Sequence, residues 1–242
     1  RDLLKQLELF QTLASNPLVQ IYFSEIGSRD VADLTEVQSG QLHYLKNLLN
    51  ATARSSTLFT AVKPVSNNKT QQINDGLALV NKKRILLATR YFPVNEAKVG
   101  KIVTQVLRQK KSIISDIYSN PYGQPRFMIA VPVRAVQAMT ANDLRGVIVA
   151  VINPDATLYQ ILAQHWLTTQ TDETLLVNSG GAGTIYMSPL STDLAVFHKA
   201  DTENNALAAN FARNHIDGFS TKIDYKGIEV LVTAKNIEYT NW

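Results

Sequence analysis

The chain is expected to be an α+β protein: a long N-terminal helix followed by two modules, each an antiparallel sheet with flanking helices. Three observations predict this. Apolar residues recur at helical spacing over residues 1–60. Short β-branched runs, separated by turns bearing Gly, Asn and Pro, begin at Gly76. After Pro154 a similar order of helix and strands starts again.

The helical stretch rests on Leu3, Leu7, Phe10 and Leu13, then on a second stripe from Asp30 through Leu34, Val37, Leu42, Leu45 and Leu49. Ser15-Asn16-Pro17 interrupts it, and Pro suits the first turn of a following helix. Residues 1–62 are therefore expected to be a helical stalk. Lys63-Pro64 and Ser66-Asn67-Asn68-Lys69 mark a loop. A first module is expected over 63–153. Its strands are Gly76 to Val80, Arg84 to Thr89, Ser112 to Tyr118, Phe127 to Val133 and Val147 to Ile152, with an amphipathic helix over Ala97 to Gln109. Asn81-Lys82-Lys83 and Asn120-Pro121-Tyr122-Gly123 are turns, and Ala138 to Arg145 is a polar loop. The second module, 154–242, starts with a linking helix over Ala156 to Trp166, capped by Pro154-Asp155. Strands Glu173 to Asn178, Thr184 to Met187, Phe219 to Asp224 and Ile228 to Ala234 follow, with a helix over Asn204 to Arg213.

Composition excludes several function classes. The 242 residues are 45% hydrophobic and 18% charged, which is ordinary for a globular protein and not for a disordered one. Net charge is +4, from 24 basic and 20 acidic residues. So small an imbalance does not point to nucleic acid. The two densest basic clusters, Lys82-Lys83-Arg84 and Arg108 to Lys111, read first as a solvated turn and a helix end. There is no cysteine, so disulfides, thiolate metal sites and cysteine nucleophiles are excluded. No apolar run exceeds Val147 to Ile152, far short of the roughly 18 residues that span a bilayer. The sequence opens at Arg1 rather than Met, which suggests a piece of a longer protein.

Motifs for catalysis and metal binding do not stand out. Ser179-Gly180-Gly181-Ala182-Gly183 lacks the Lys-Ser/Thr of a phosphate loop and is followed by strand-like residues, so it reads as a hairpin turn. The histidines His43, His165, His198 and His215 form no i, i+4 pair. His165 beside Trp166 reads as packing. There is no G-x-S-x-G elbow. Asp193, Asp201 and Glu203 lack calcium-loop spacing. No cofactor is expected.

A candidate ligand site lies on the first sheet. Arg90 and Tyr91 close the second strand. Ser115, Asp116 and Tyr118 interrupt an apolar strand. Arg126 and Met128 stand two apart on the next, so they share a face. Together these would line a small pocket with an acid, bases and an aromatic, suited to a small polar molecule. The alternative is a strand edge with solvated polar residues.

The five-strand order with one crossing helix resembles a PAS-like module. The whole order resembles the double Cache family, tandem PAS-like sensor domains of bacterial transmembrane receptors. The resemblance covers essentially the full chain. It is carried by Ser115-Asp116-Ile117-Tyr118, Gly123-Gln124-Pro125 with Phe127 to Val133, Gly146 to Val151, Asp172 to Asn178, and Asp224 to Leu231 with Trp242. It implies a periplasmic domain flanked by transmembrane helices, with the ligand in the first module and Tyr118 at a position that often contacts it. The amino-acid-binding subgroup carries Arg and Trp in the helix after strand two, and Asp in strand five. Here Asn95 to Gly100 holds neither, and Val151 takes the Asp position, so that signature is not met.

The expected function is therefore a non-catalytic signal-sensing domain, most simply of a two-component histidine kinase, relaying ligand binding toward the membrane. The N-terminal helix would also suit a homodimer. The alternative is a protein-interaction ectodomain of a diguanylate cyclase or chemoreceptor without a small-molecule ligand. An enzyme would need a nucleophile and base in hydrogen-bond reach, and none is marked.

Overall fold

The computed structural model describes residues 2–25, 36–59, 75–82, 84–93, 97–136, 143–164, 172–178, 183–192, 196–201, 203–240 and 242. The chain forms two compact units. One comprises Arg1–Ser115 with Arg126–Thr157, the other Asp116–Pro125 with Leu158–Trp242.

The first unit opens with three helices in place of one long one: α1 (Asp2–Ala14), α2 (Pro17–Glu25) and α3 (Glu36–Ser55). The break between α1 and α2 is local chemistry. Pro17 has no N–H to extend α1, and the Asn16 side chain accepts the Leu18 N–H at 2.9 Å, capping α2. The leucine stripe behaves as its spacing requires: Leu7, Phe10, Leu13, Leu45 and Leu49 are all buried. The start of the second stripe, from Asp30 through Leu34, lies outside the described residues, as does the loop at 63–69.

The sheet of this unit contains β1 (Gly76–Val80), β2 (Ile85–Ala88), β3 (Ile113–Ile114), β5 (Pro125–Arg134) and β6 (Leu144–Ile152). Its strands run in the order β2-β1-β6-β5-β3, and every neighbouring pair is antiparallel. Both faces are covered. Leu77 and Ala78 point to opposite sides and are each 0% exposed. That is why β5 and β6 are nearly unbroken apolar runs rather than alternating ones. Helices α1 and α2 touch β6, and α3 touches β1 and β2. A side chain at Gly146 would run into the Phe23 ring of α2, so α2 lies on the face of Gly146, Ile148 and Ala150. The helices expected as a separate stalk thus lie within the same unit as the sheet. The other face, with Val147, Val149 and Val151, is equally buried. The unit's remaining helix, α4 (Ala97–Gln109), also contacts β6 and covers that face with Val99, Ile102, Val103 and Val106.

Two further elements differ from expectation. The strand over Ser112 to Tyr118 ends after Ile114, with only Tyr118–Ser119 (β4) extended beyond it. Ser115 causes the break: its hydroxyl, not a backbone carbonyl, accepts the Met128 N–H at 2.8 Å, so the side chain replaces the ladder. The linking helix shrinks to a 3-10 turn, Pro154–Ala156, and α5 (Leu158–Leu162). Its cap is Asn153, which accepts the Asp155 N–H, rather than Pro154-Asp155. His165 and Trp166 lie outside the described residues.

The second unit does not repeat the first among its described residues. Its strands form two separate pairs, β7 (Val177–Asn178) with β8 (Ile185–Tyr186), and β9 (Phe219–Ile223) with β10 (Glu229–Thr233). The expected strand from Glu173 is reduced to Val177–Asn178, and the helix over Asn204 to Arg213 to α6 (Ala208–Asn214). The turn after Asn178 lies largely outside the described residues. The β9–β10 hairpin closes through Tyr225-Lys226-Gly227 as expected, with Gly227 at φ +80°, which an L side chain resists. A small core of Tyr186, Leu190, Ala200, Leu207 and Ala209 holds this unit.

Candidate functional site

The expected ligand residues fall in three places. Ser115, Arg126 and Met128 come together. The register pairs Met128 with Val151, and the Ser115 N–H donates to the Met128 carbonyl at 2.8 Å, so Ser115 stands directly opposite Met128. Arg126 shares their face and extends the same register to the end of β6. This is the face that α4 covers. Arg126 is only 2% exposed, which is unusual for a guanidinium and demands anionic or carbonyl partners.

Arg90 and Tyr91 do not join them. They lie in the exposed turn after β2, with the Arg90 guanidinium 5.5 Å from the centre of the Tyr91 ring. Strand β2 is three positions from β5, or ~14 Å at the usual strand spacing. Asp116 and Tyr118 follow Ser115 in the stretch Asp116–Pro125, where Tyr118 is buried and β4 pairs with β5, the strand that carries Arg126.

The residue that sequence reasoning missed is Asp155. It sits in the 3-10 turn just past β6, within electrostatic reach of Arg126. Its carboxyl is pushed above the ordinary carboxylate range, because loss of water outweighs the pull of Arg126. Arg126 and Asp155 are 29 positions apart in sequence. Only the antiparallel pairing of β5 with β6 brings the start of one beside the end of the other, so no local pattern could reveal the pair.

A second feature of the first unit was also missed. A cleft of about 1010 Å³ lies between β2 and α4. Val80, Val99, Val103 and Leu107 provide apolar wall, and Lys82, Arg84 and Arg108 bring three cations to it. The two basic clusters noticed as a solvated turn and a helix end therefore meet here.

The second unit holds a polar cluster of its own. The Tyr225 hydroxyl donates to the Glu173 carboxylate at 2.8 Å. With that hydrogen committed, its oxygen accepts from the Ser191 N–H at 3.0 Å and the Ser191 hydroxyl at 2.7 Å. The Lys226 ammonium is 3.6 Å from Glu173. The cluster clasps three separate segments. Tyr186 packs edge-on to Tyr225, and its phenol is pushed up to about 12 by burial and then by Asp224, Tyr225 and Glu173. Among the described residues there is no group of three or more His, Asp or Glu side chains placed to hold a metal ion, and no helix is long and apolar enough to cross a membrane.

No family model matches the chain, and no curated protein matches it. Among solved structures it is similar to an extracellular ligand-binding receptor from Desulfohalobium retbaense, at 12% identity and a TM-score of 0.46. That match covers 85% of this chain and 39% of the receptor's length. It is also similar to the ligand-binding domain of the Pseudomonas aeruginosa amino acid chemoreceptor PctC in complex with GABA, at 16% identity and a TM-score of 0.26, covering 63% of this chain and 61% of that one.

Proposed function

We propose that the chain is an extracytoplasmic signal-sensing domain of a transmembrane receptor, a two-component histidine kinase, and that its first unit binds a small polar ligand. The observation that carries the reading is the buried Arg126, on the same face as Ser115 and Met128, with Asp155 within electrostatic reach. Asp116 and Tyr118 stay within this proposed site, and Arg90 and Tyr91, in the exposed turn after β2, fall outside it. An antiparallel sheet with helices on both faces supports reading this unit as an α+β sensor module.

The geometry suggests how binding would become a signal. A ligand carboxylate reaching Arg126 would compete with Asp155 for the same charge. Asp155 lies in the turn through which the chain leaves the first unit at Thr157. Releasing Asp155 would free that turn. The ligand would thereby favour one of two arrangements of the turn by its differential affinity for them, which is what signalling requires.

A thermal-shift screen tests the reading, using small carboxylates, amino acids, amines, sugars and nucleobases. A ligand at about a hundred times its Kd adds roughly 2.7 kcal/mol of stability. The expected outcome is a carboxylate that stabilises the protein and loses that effect in Arg126→Met. A flat screen, or a hit indifferent to Arg126→Met, would refute the site. The kinase output is tested separately, by ligand-dependent autophosphorylation of the full-length receptor.

A further inference from the structure

The cleft between β2 and α4 carries an inference of its own. Among the described residues β2 has one strand neighbour, β1, and stands at the edge of the sheet. All five consecutive residues from Arg84 to Ala88 line the cleft. Successive side chains of a strand point to opposite faces, so a cleft that touches all five reaches the strand's open edge and not one face alone. The hydrogen-bond phase agrees. The Thr89 N–H donates to the Leu77 carbonyl at 2.9 Å, so Thr89 turns toward β1. Leu87, paired with Leu79, does the same, and Ala88 presents its N–H and C=O groups outward; beyond Leu87 a bulge shifts the register, and Arg84, whose carbonyl accepts the Asn81 N–H at 3.0 Å, faces β1 again. An open ladder beside an apolar helix wall is what an added strand requires.

The charge selects the occupant. Lys82, Arg84 and Arg108 line the cleft, and its lining contains no Asp or Glu among the described residues. We propose that this cleft takes an extended acidic segment of a partner protein, which adds to β2 as a further strand. Alternate side chains of that segment would lie on Val103 and Leu107 of α4, while its carboxylates would meet the three cations. A second copy of this chain is a poor occupant, because its β2 and the residues before it, Lys82 to Ala88, carry no carboxylate to meet the three cations. The proposal is independent of the ligand reading, since Arg126 lies on β5, three positions away in the sheet.

The test is fluorescence anisotropy of the whole protein with labelled hexapeptides. One alternates Val and Glu, one alternates Val and Lys, and a third is the Val/Glu peptide N-methylated at alternate residues so that it cannot complete a ladder. The Val/Glu probe is expected to bind saturably and to weaken as salt is raised. The Val/Lys and N-methylated probes should each bind at least about tenfold more weakly, the latter because each lost hydrogen bond is worth a factor of a few. The double variant Lys82→Glu, Arg108→Glu changes two exposed side chains and should lose Val/Glu binding by a similar factor with an unchanged melting profile. Arg126→Met should leave it unaltered. Equal binding of the N-methylated probe would show that the ladder is unused. Equal binding of the Val/Lys probe would show that the cations are unused. Either result, or no saturable binding of Val/Glu, overturns the proposal.

Discussion

Tyr186 makes the second unit's core testable through pH. It is 2% exposed, and its phenol is raised from 10.0 to about 12, first by burial and then by the negative charges of Asp224, Tyr225 and Glu173. The folded state therefore holds this proton more tightly than the unfolded state. Its contribution to stability is complete below pH 10.0 and is lost as pH climbs toward about 12. At pH 11, midway between the two values, the loss relative to neutral pH is on the order of 1 kcal/mol, roughly a tenfold change in the folding constant. Tyr186→Phe keeps the ring, its packing and its edge-on contact with Tyr225 but has nothing to ionise. The assay is urea unfolding of wild type and Tyr186→Phe at pH 8 and pH 11, followed by circular dichroism. Comparing the two proteins cancels the lysines and other tyrosines that also titrate there. The wild type should lose on the order of 1 kcal/mol more than the variant between the two pH values. Parallel losses would refute the reasoning, because they would mean that ionising Tyr186 costs no more folded than unfolded.

Two further predictions concern packing and the clasp. Gly146→Ala puts a methyl into the Phe23 ring, and neither the sheet nor α2 can yield without shifting, so the denaturation midpoint should fall by an amount equivalent to about 1–3 kcal/mol. Tyr225→Phe removes the hydroxyl that joins Glu173 to Ser191 and should cost about 1 kcal/mol, with faster amide exchange at Ser191, whose N–H that oxygen accepts. Unchanged exchange at Ser191 would show that the clasp does not order that segment.

Much of the first unit was legible in the sequence because its signals are local. Short apolar runs bounded by turn residues mark β1, β2, β5 and β6, and the 3.6-residue period of Val99, Ile102, Val103 and Val106 marks α4. The turn at Asn120 was equally legible, because Asn120 accepts the N–H groups of Tyr122 and Gln124 with its own side chain. The pairing of Arg126 with Met128 on one face followed from the two-residue repeat of a strand. Elements whose length depends on partners were less legible. Ser115 ends its strand by a side-chain bond to Met128, and the strands of the second unit stop where neighbours stop.

What the sequence determined by itself is the α+β character, the chain positions of the main strands and helices, and which residues are apolar enough to be core. The tertiary structure alone decided which distant charges meet. Antiparallel pairing of β5 with β6 sets Arg126 near Asp155. The placement of α4 beside the edge strand turns two unremarkable basic clusters into one cationic cleft. The physical reason is the same in both cases. Period and propensity act over a few residues, whereas charge acts through space, and the distances that govern it exist only once the sheet has chosen its strand order.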